Sequence, residues 1–79
     1  MNKADYIKRR RFLSSKIIEA REGAGFSQLQ VSKILAISQS TLSKIENGDR
    51  RVDFLVLLEM AKLYNQPITF FIPENQTGK

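Results

Sequence analysis

Residues 27–48 read SQLQVSKILAISQSTLSKIENG. Ser27 stands where a helix N-cap belongs, and Gln30 follows three residues on. That is the pattern of a capping box: the serine oxygen takes a backbone N–H, and the glutamine reaches back to the cap. Phe26 before the cap and Val31 at the fourth helical position form a hydrophobic staple. The same frame returns at Ser38, flanked by Ile37 and Leu42, and at Asp53, flanked by Val52 and Leu57. Asn47-Gly48 is a good pair for ending a helix. The alternative at each cap is a loop residue beside a chance hydrophobe, but three caps with staples in register argue against it. The stretch therefore predicts a helix from about Gln28 to Leu35, a tight turn at Ala36-Ile37, and a helix from about Gln39 to Glu46.

Outward from this pair, helical spacing continues and no useful strand alternation appears. A first helix is expected from about Asp5 to Glu22. Leu13, Ile17 and Ala20 give it an apolar stripe, and Gly23 and Gly25 end it. Beyond the polar, basic connection 49–52, a helix from about Phe54 to Tyr64 carries Phe54, Leu57, Leu58 and Ala61 at i, i+3, i+4, i+7, a core face. Asn65 can end it. Pro67 suits the first position of a short fifth helix, Ile68 to Phe71, which Pro73 stops. The expected fold class is all-α: one compact bundle of about five helices over 1–79, with the N-terminal extension 1–6 and the tail 74–79 loose.

The composition narrows the chemistry. The 79 residues include no cysteine and no histidine. Thiolate or imidazole metal sites and histidine-assisted nucleophiles are excluded. Neither paired carboxylates nor a phosphate-cradling glycine loop is visible, so no enzyme, metal or cofactor is expected. The formal charge of +5 and pI near 9.9 suit a polyanionic partner, although ordinary solubility charge accounts for them nearly as well. No apolar run is long enough for a bilayer, and the charged N-terminus lacks the apolar segment of a secretory signal. A cytoplasmic protein is expected.

On a helical wheel the Gln39–Glu46 segment splits in two. Ser38, Leu42 and Ile45 share one side. Gln39, Ser40, Ser43 and Lys44 share the other, within an arc of roughly 140° at about 100° per residue. That outer face has amide, hydroxyl and ammonium groups and no carboxylate. Glutamine pairs with adenine edges, lysine with guanine O6 and N7, and serine with either. An ordinary solvated face is the plainer account, but such faces favour Glu, Lys and Arg, the strong helix formers. The serines and Thr41 cost helix propensity, which suggests a use. Two short helices joined by a tight turn make a helix-turn-helix: the second enters the major groove and the first lies across the backbone.

The segment REGAGFSQLQVSKILAISQSTLSKIENG (21–48), followed by FLVLLEMAKLY (54–64), resembles the Xre/Cro/phage-repressor helix-turn-helix family over roughly Leu13 to Ile72. The resemblance implies a lambda-repressor-like DNA-binding domain and assigns roles. Gln39, Ser40 and Lys44 would read bases, with Ser43 between them. Thr41 would lie nearer the backbone. Gln28, at the start of its helix, would hold a phosphate. Arg21 would pair with Glu46 and help place the Asn47 backbone at a phosphate. Arg50 and Arg51 would reach phosphates of the same half-site. Two departures are visible. Ala36 stands where the family often has glycine, at a turn position that tends to need positive φ, costing alanine about 1 kcal/mol. Ser32 replaces the usual alanine where the two helices cross.

Two features lie outside that pattern. Lys8-Arg9-Arg10-Arg11 is the densest charge in the chain, but four successive helical residues point all around. Some of them could reach DNA backbone at the rim, while a solvated start to the first helix is an equally plain account. Positive charge at a helix start opposes the dipole, which points either to a use or to a helix that starts earlier. Leu29, Ile34, Leu55, Val56, Phe70 and Phe71 are more apolar than the core requires: some are expected in the core, and the rest suit a partner surface. Relatives of the resembled family dimerise through the helices after the motif, which makes Leu55, Phe70 and Ile72 the dimer candidates. The expected function is a transcriptional regulator binding double-stranded DNA at a palindromic operator as a homodimer. The alternative is a protein-interaction module, such as an antitoxin with a protein partner, that uses the same fold for autoregulation.

Overall fold

The computed structural model describes residues 1–73; the tail 74–79, expected to be loose, lies outside the described residues. The architecture is all-α. Helix α1 spans Lys3–Gly23, α2 Gln28–Leu35, α3 Gln39–Asn47 and α4 Phe54–Leu63, followed by a 3₁₀ turn, Ile68–Phe71.

Local chemistry starts and stops each α-helix. Ser27 accepts from Gln30 N at 3.1 Å while the Gln30 Oε1 takes Ser27 N–H at 2.8 Å, completing the capping box. Ser38 accepts from Thr41 N at 2.9 Å, and Asp53 accepts from Leu55 N at 3.0 Å and Val56 N at 3.3 Å. All four α-helices close through a left-handed residue just past the end: Gly25, Ala36, Gly48 and Asn65. The next N–H then returns to a carbonyl inside the helix. These bonds are Phe26 N to Arg21 O, Ile37 N to Ser32 O, Asp49 N to Lys44 O and Gln66 N to Ala61 O, all between 2.8 and 3.1 Å. The closures satisfy carbonyls that a helix end leaves open. Glycine adopts this conformation freely. Ala36, at φ 56°, holds it against its own Cβ.

Three expectations are corrected. The stretch 1–6 is not loose: Asn2 caps α1 by accepting from Asp5 N at 2.8 Å, and Asp5 suits the first-turn dipole. The basic run 8–11 therefore sits in the body of the helix rather than at its start. The core face of α4 is Leu57, Met60, Ala61 and Tyr64, one turn later than read; Phe54 is 63% exposed. As the first residue after the Asp53 cap, it projects beyond the bundle. The fifth helix is a 3₁₀ turn. Between Pro67 and Pro73 there is room only for i→i+3 closures, Phe70 N to Pro67 O at 2.9 Å and Ile72 N to Thr69 O at 3.2 Å.

The core joins Ile17 and Ala20 of α1, Val31 of α2, Leu42 and Ile45 of α3, the α4 face and Phe71. Helix α3 packs against both α1 and α2, while the 3₁₀ turn packs against α1 and α4. Leu42 and Ile45 are almost wholly buried; at about 1.5–3 kcal/mol each, these two side chains seat a helix that is otherwise polar. Ser32 of α2 is buried, and its hydroxyl donates to Leu29 O at 2.8 Å, so the position stays small and satisfied.

Candidate nucleic-acid interface

Helix α3 presents two chemically distinct sides. Leu42, Ile45 and Glu46 are buried; Gln39, Ser40, Lys44 and Asn47 are exposed, and Ser43 is half-buried. No carboxylate lies among the outward residues. Thr41 is half-buried and engaged locally: the Ser38 hydroxyl donates to Thr41 Oγ1 at 2.8 Å, besides accepting the Thr41 N–H. The first turn of α3, which carries Gln39 and Ser40, is thus held by its own cap.

A buried carboxylate fixes where that helix lies. Glu46 is 4% exposed. Arg21 donates to it twice, Nε to Oε2 at 2.7 Å and Nη2 to Oε1 at 3.0 Å. Its Nη1 donates to Phe26 O at 2.9 Å in the loop before α2. Gln28 Nε2 donates to Glu46 Oε1 at 2.9 Å. One cluster therefore ties the end of α1, the entry of α2 and the last turn of α3. The hydrogen bond to Glu46 raises the Arg21 pKa, outweighing desolvation, so the guanidinium stays charged. Beside the cluster, burial, and secondarily Glu46, push the Tyr64 phenol up to about 12. Its hydroxyl has no hydrogen-bond partner among the described residues. The geometry amends the reading of Gln28: its amide turns to Glu46 rather than out to solvent, because the carboxylate needs a third donor once it is buried.

The far end of α3 is held by Ser14, which the sequence reading passed over, and by Arg10, which it noted only as part of the basic run. Ser14 Oγ donates to Ile45 O at 3.0 Å, and Arg10 Nη2 donates to Gly48 O at 3.0 Å. A cation at a helix C-terminus also suits the dipole. A signal was available: Arg10, Ser14, Ile17 and Arg21 follow i, i+4, i+7, i+11, so the polar residues continue the stripe that the apolar ones begin. Arg50 and Arg51 are exposed. With Tyr6, Arg10 and Ser14 they line a cleft of about 240 Å³ between α1 and the connection to α4.

The three dimer candidates do not behave alike. Leu55 and Ile72 are 68% and 55% exposed. Phe70 differs from them: it packs half-buried against the core, edge-on to Phe71 at 5.2 Å, with Lys16 Nζ 4.8 Å from its ring centre. The 3₁₀ turn rotates it inward, leaving Ile72 outside.

A helix-turn-helix family model matches residues 17–71. The chain is 32% identical over 66 residues to the HTH-type transcriptional regulator RamB of Mycobacterium tuberculosis, covering 84% of this chain and 14% of RamB. It is 30% identical over 67 residues to the HTH-type transcriptional regulator ImmR of Bacillus subtilis, covering 85% of this chain and 53% of ImmR. It spans only part of either relative. Its fold is similar to that of the restriction-modification controller protein C.AhdI of Aeromonas hydrophila, with a TM-score of 0.71 at 20% identity over 82% of this chain and 97% of the other.

Proposed function

The chain belongs to the helix-turn-helix family, and on that premise we propose that it binds double-stranded DNA sequence-specifically, as a homodimer on a palindromic operator, and regulates transcription. The observation that carries this reading is the outer side of α3: Gln39, Ser40, Lys44 and Asn47 stand free of acids while Leu42, Ile45 and Glu46 anchor the opposite side. Gln39, Ser40, Ser43 and Lys44 read base edges. Thr41, the Asn47 backbone, Arg50 and Arg51 position the domain on phosphates. Gln28 contributes through its backbone N–H at the start of α2, while its side chain steadies Glu46. A two-fold dimer brings two copies of α3 to successive major grooves, about 34 Å apart.

Selection of bound duplexes from a random pool tests the reading. An enriched inverted repeat is expected, and Gln39→Ala or Lys44→Ala should change the enriched bases. Binding no tighter than to random duplex at moderate salt would sink it. The exposure of Phe54 and Leu55 favours a second reading, a module that also docks a protein partner, as an antitoxin does. Co-purification of a stoichiometric partner would support that reading; a lone homodimer would count against it.

A further inference from the structure

The basic run Lys8-Arg9-Arg10-Arg11 lies on the part of α1 that precedes the family-matched residues 17–71. The structure divides it. Arg10 turns inward: its guanidinium lies 5.7 Å from the Tyr6 ring centre and donates to Gly48 O. That contact sets the neighbouring Arg11 against the end of α3. Ile7, Arg10 and Arg11 form one wall of a polar cleft of about 240 Å³, and Asn47, Gly48 and Asp49 form the other. At about 100° per residue, Asn47 falls inside the arc of Gln39, Ser43 and Lys44, so Arg11 borders the outward side of α3 at its C-terminal end. Arg11 is exposed. It makes no ion pair among the described residues, not even with Asp49 across the cleft. An unpaired guanidinium on a rigid helix, flanking a groove-reading face, suits a phosphodiester oxygen.

We propose that Arg11, braced by the Arg10–Gly48 contact, holds a DNA phosphate beside the one at Asn47. The N-terminal half of α1 is then a backbone-binding element outside the family-matched segment. This rests on the DNA-binding reading above. The test follows anisotropy of a labelled duplex of random sequence from about 50 to 200 mM salt, because each phosphate contact contributes about 0.9 to the slope of log affinity against log salt. Arg11→Gln should lower the slope by about that amount with no change in Tm, and Arg11→Lys should restore it. If wild type binds steeply and Arg11→Gln has the same slope, the proposal fails and DNA binding stands. A fall in Tm at constant slope also overturns it, because Arg11 then serves Asp49 and the fold. If wild type binds no duplex in a salt-dependent way, the DNA-binding reading fails and takes this one with it.

Discussion

Glu46 accepts three hydrogen bonds while almost wholly buried. A buried charge that loses its partner costs about 3–5 kcal/mol, a large share of the roughly 5–15 kcal/mol that holds a small domain together. Arg21→Ala should therefore lower unfolding free energy by about 3 kcal/mol or more, read as a shifted urea midpoint; Gln28→Ala should cost nearer 1 kcal/mol. Tyr64 makes a different case. Its phenol is pushed from 10 to about 12, so the folded state favours the protonated form. Its contribution is whole below the unfolded value of 10 and is lost as pH rises through about 12. Urea titrations at rising pH should show that loss in wild type and a smaller one in Tyr64→Phe. At neutral pH, Tyr64→Phe removes a buried hydroxyl without a partner, and stability should hold or rise by up to about 1 kcal/mol. Ala36 carries the remaining residue-scale strain. Ala36→Gly should gain up to about 1 kcal/mol by relieving a left-handed φ, less what glycine adds to the entropy of the unfolded chain.

At the scale of the element, α3 is seated from both ends. Ser38 caps its first turn, and α1 holds its last through Ser14 to Ile45 O and Arg10 to Gly48 O. Ser38→Ala should cost about 1 kcal/mol, and, because Gln39 and Ser40 sit in that turn, it should also weaken binding to the selected operator. Amide exchange of the first-turn N–H groups of α3 checks the local loosening. The limits of α2, α3 and α4 were legible in the sequence because a cap or a left-handed stop is decided within one turn of chain; the Asn2 cap that starts α1 was missed. The α2 and α3 spans were read to within a residue. The α4 core face was not. Phe54, Leu57, Leu58 and Ala61 satisfy the same spacing as Leu57, Met60, Ala61 and Tyr64, and on a helix with apolar residues on several sides only the neighbours decide which set is buried.

For the whole molecule, the proposed dimer requires an apolar face. Leu55 lines one cleft with Leu35 and Val56, and Ile72 lines another with Met1, Leu57 and Phe71. Leu55→Glu and Ile72→Glu, tested separately by sedimentation, should identify which cleft is the dimer seam: the seam variant becomes monomeric and loses operator affinity by at least tenfold, about 1.4 kcal/mol, while the other keeps both. If neither substitution changes the oligomeric state, the Leu55 and Ile72 faces are both ruled out as the seam.

By itself the sequence determined α2, α3 and α4 with their caps and stops, the end of α1, and the inner and outer sides of α3, because all of these are written in spacings of three to seven residues; the family resemblance it carried in the longer segments 21–48 and 54–64. Tertiary structure alone decided what Arg10, Ser14, Gln28, Phe54 and Phe70 do. Arg10 meets the carbonyl of Gly48, 38 residues away, and Gln28 turns to Glu46, 18 residues away. Such partners depend on how helices cross, and a side chain's periodicity names the face it occupies without naming the neighbour that will cover it.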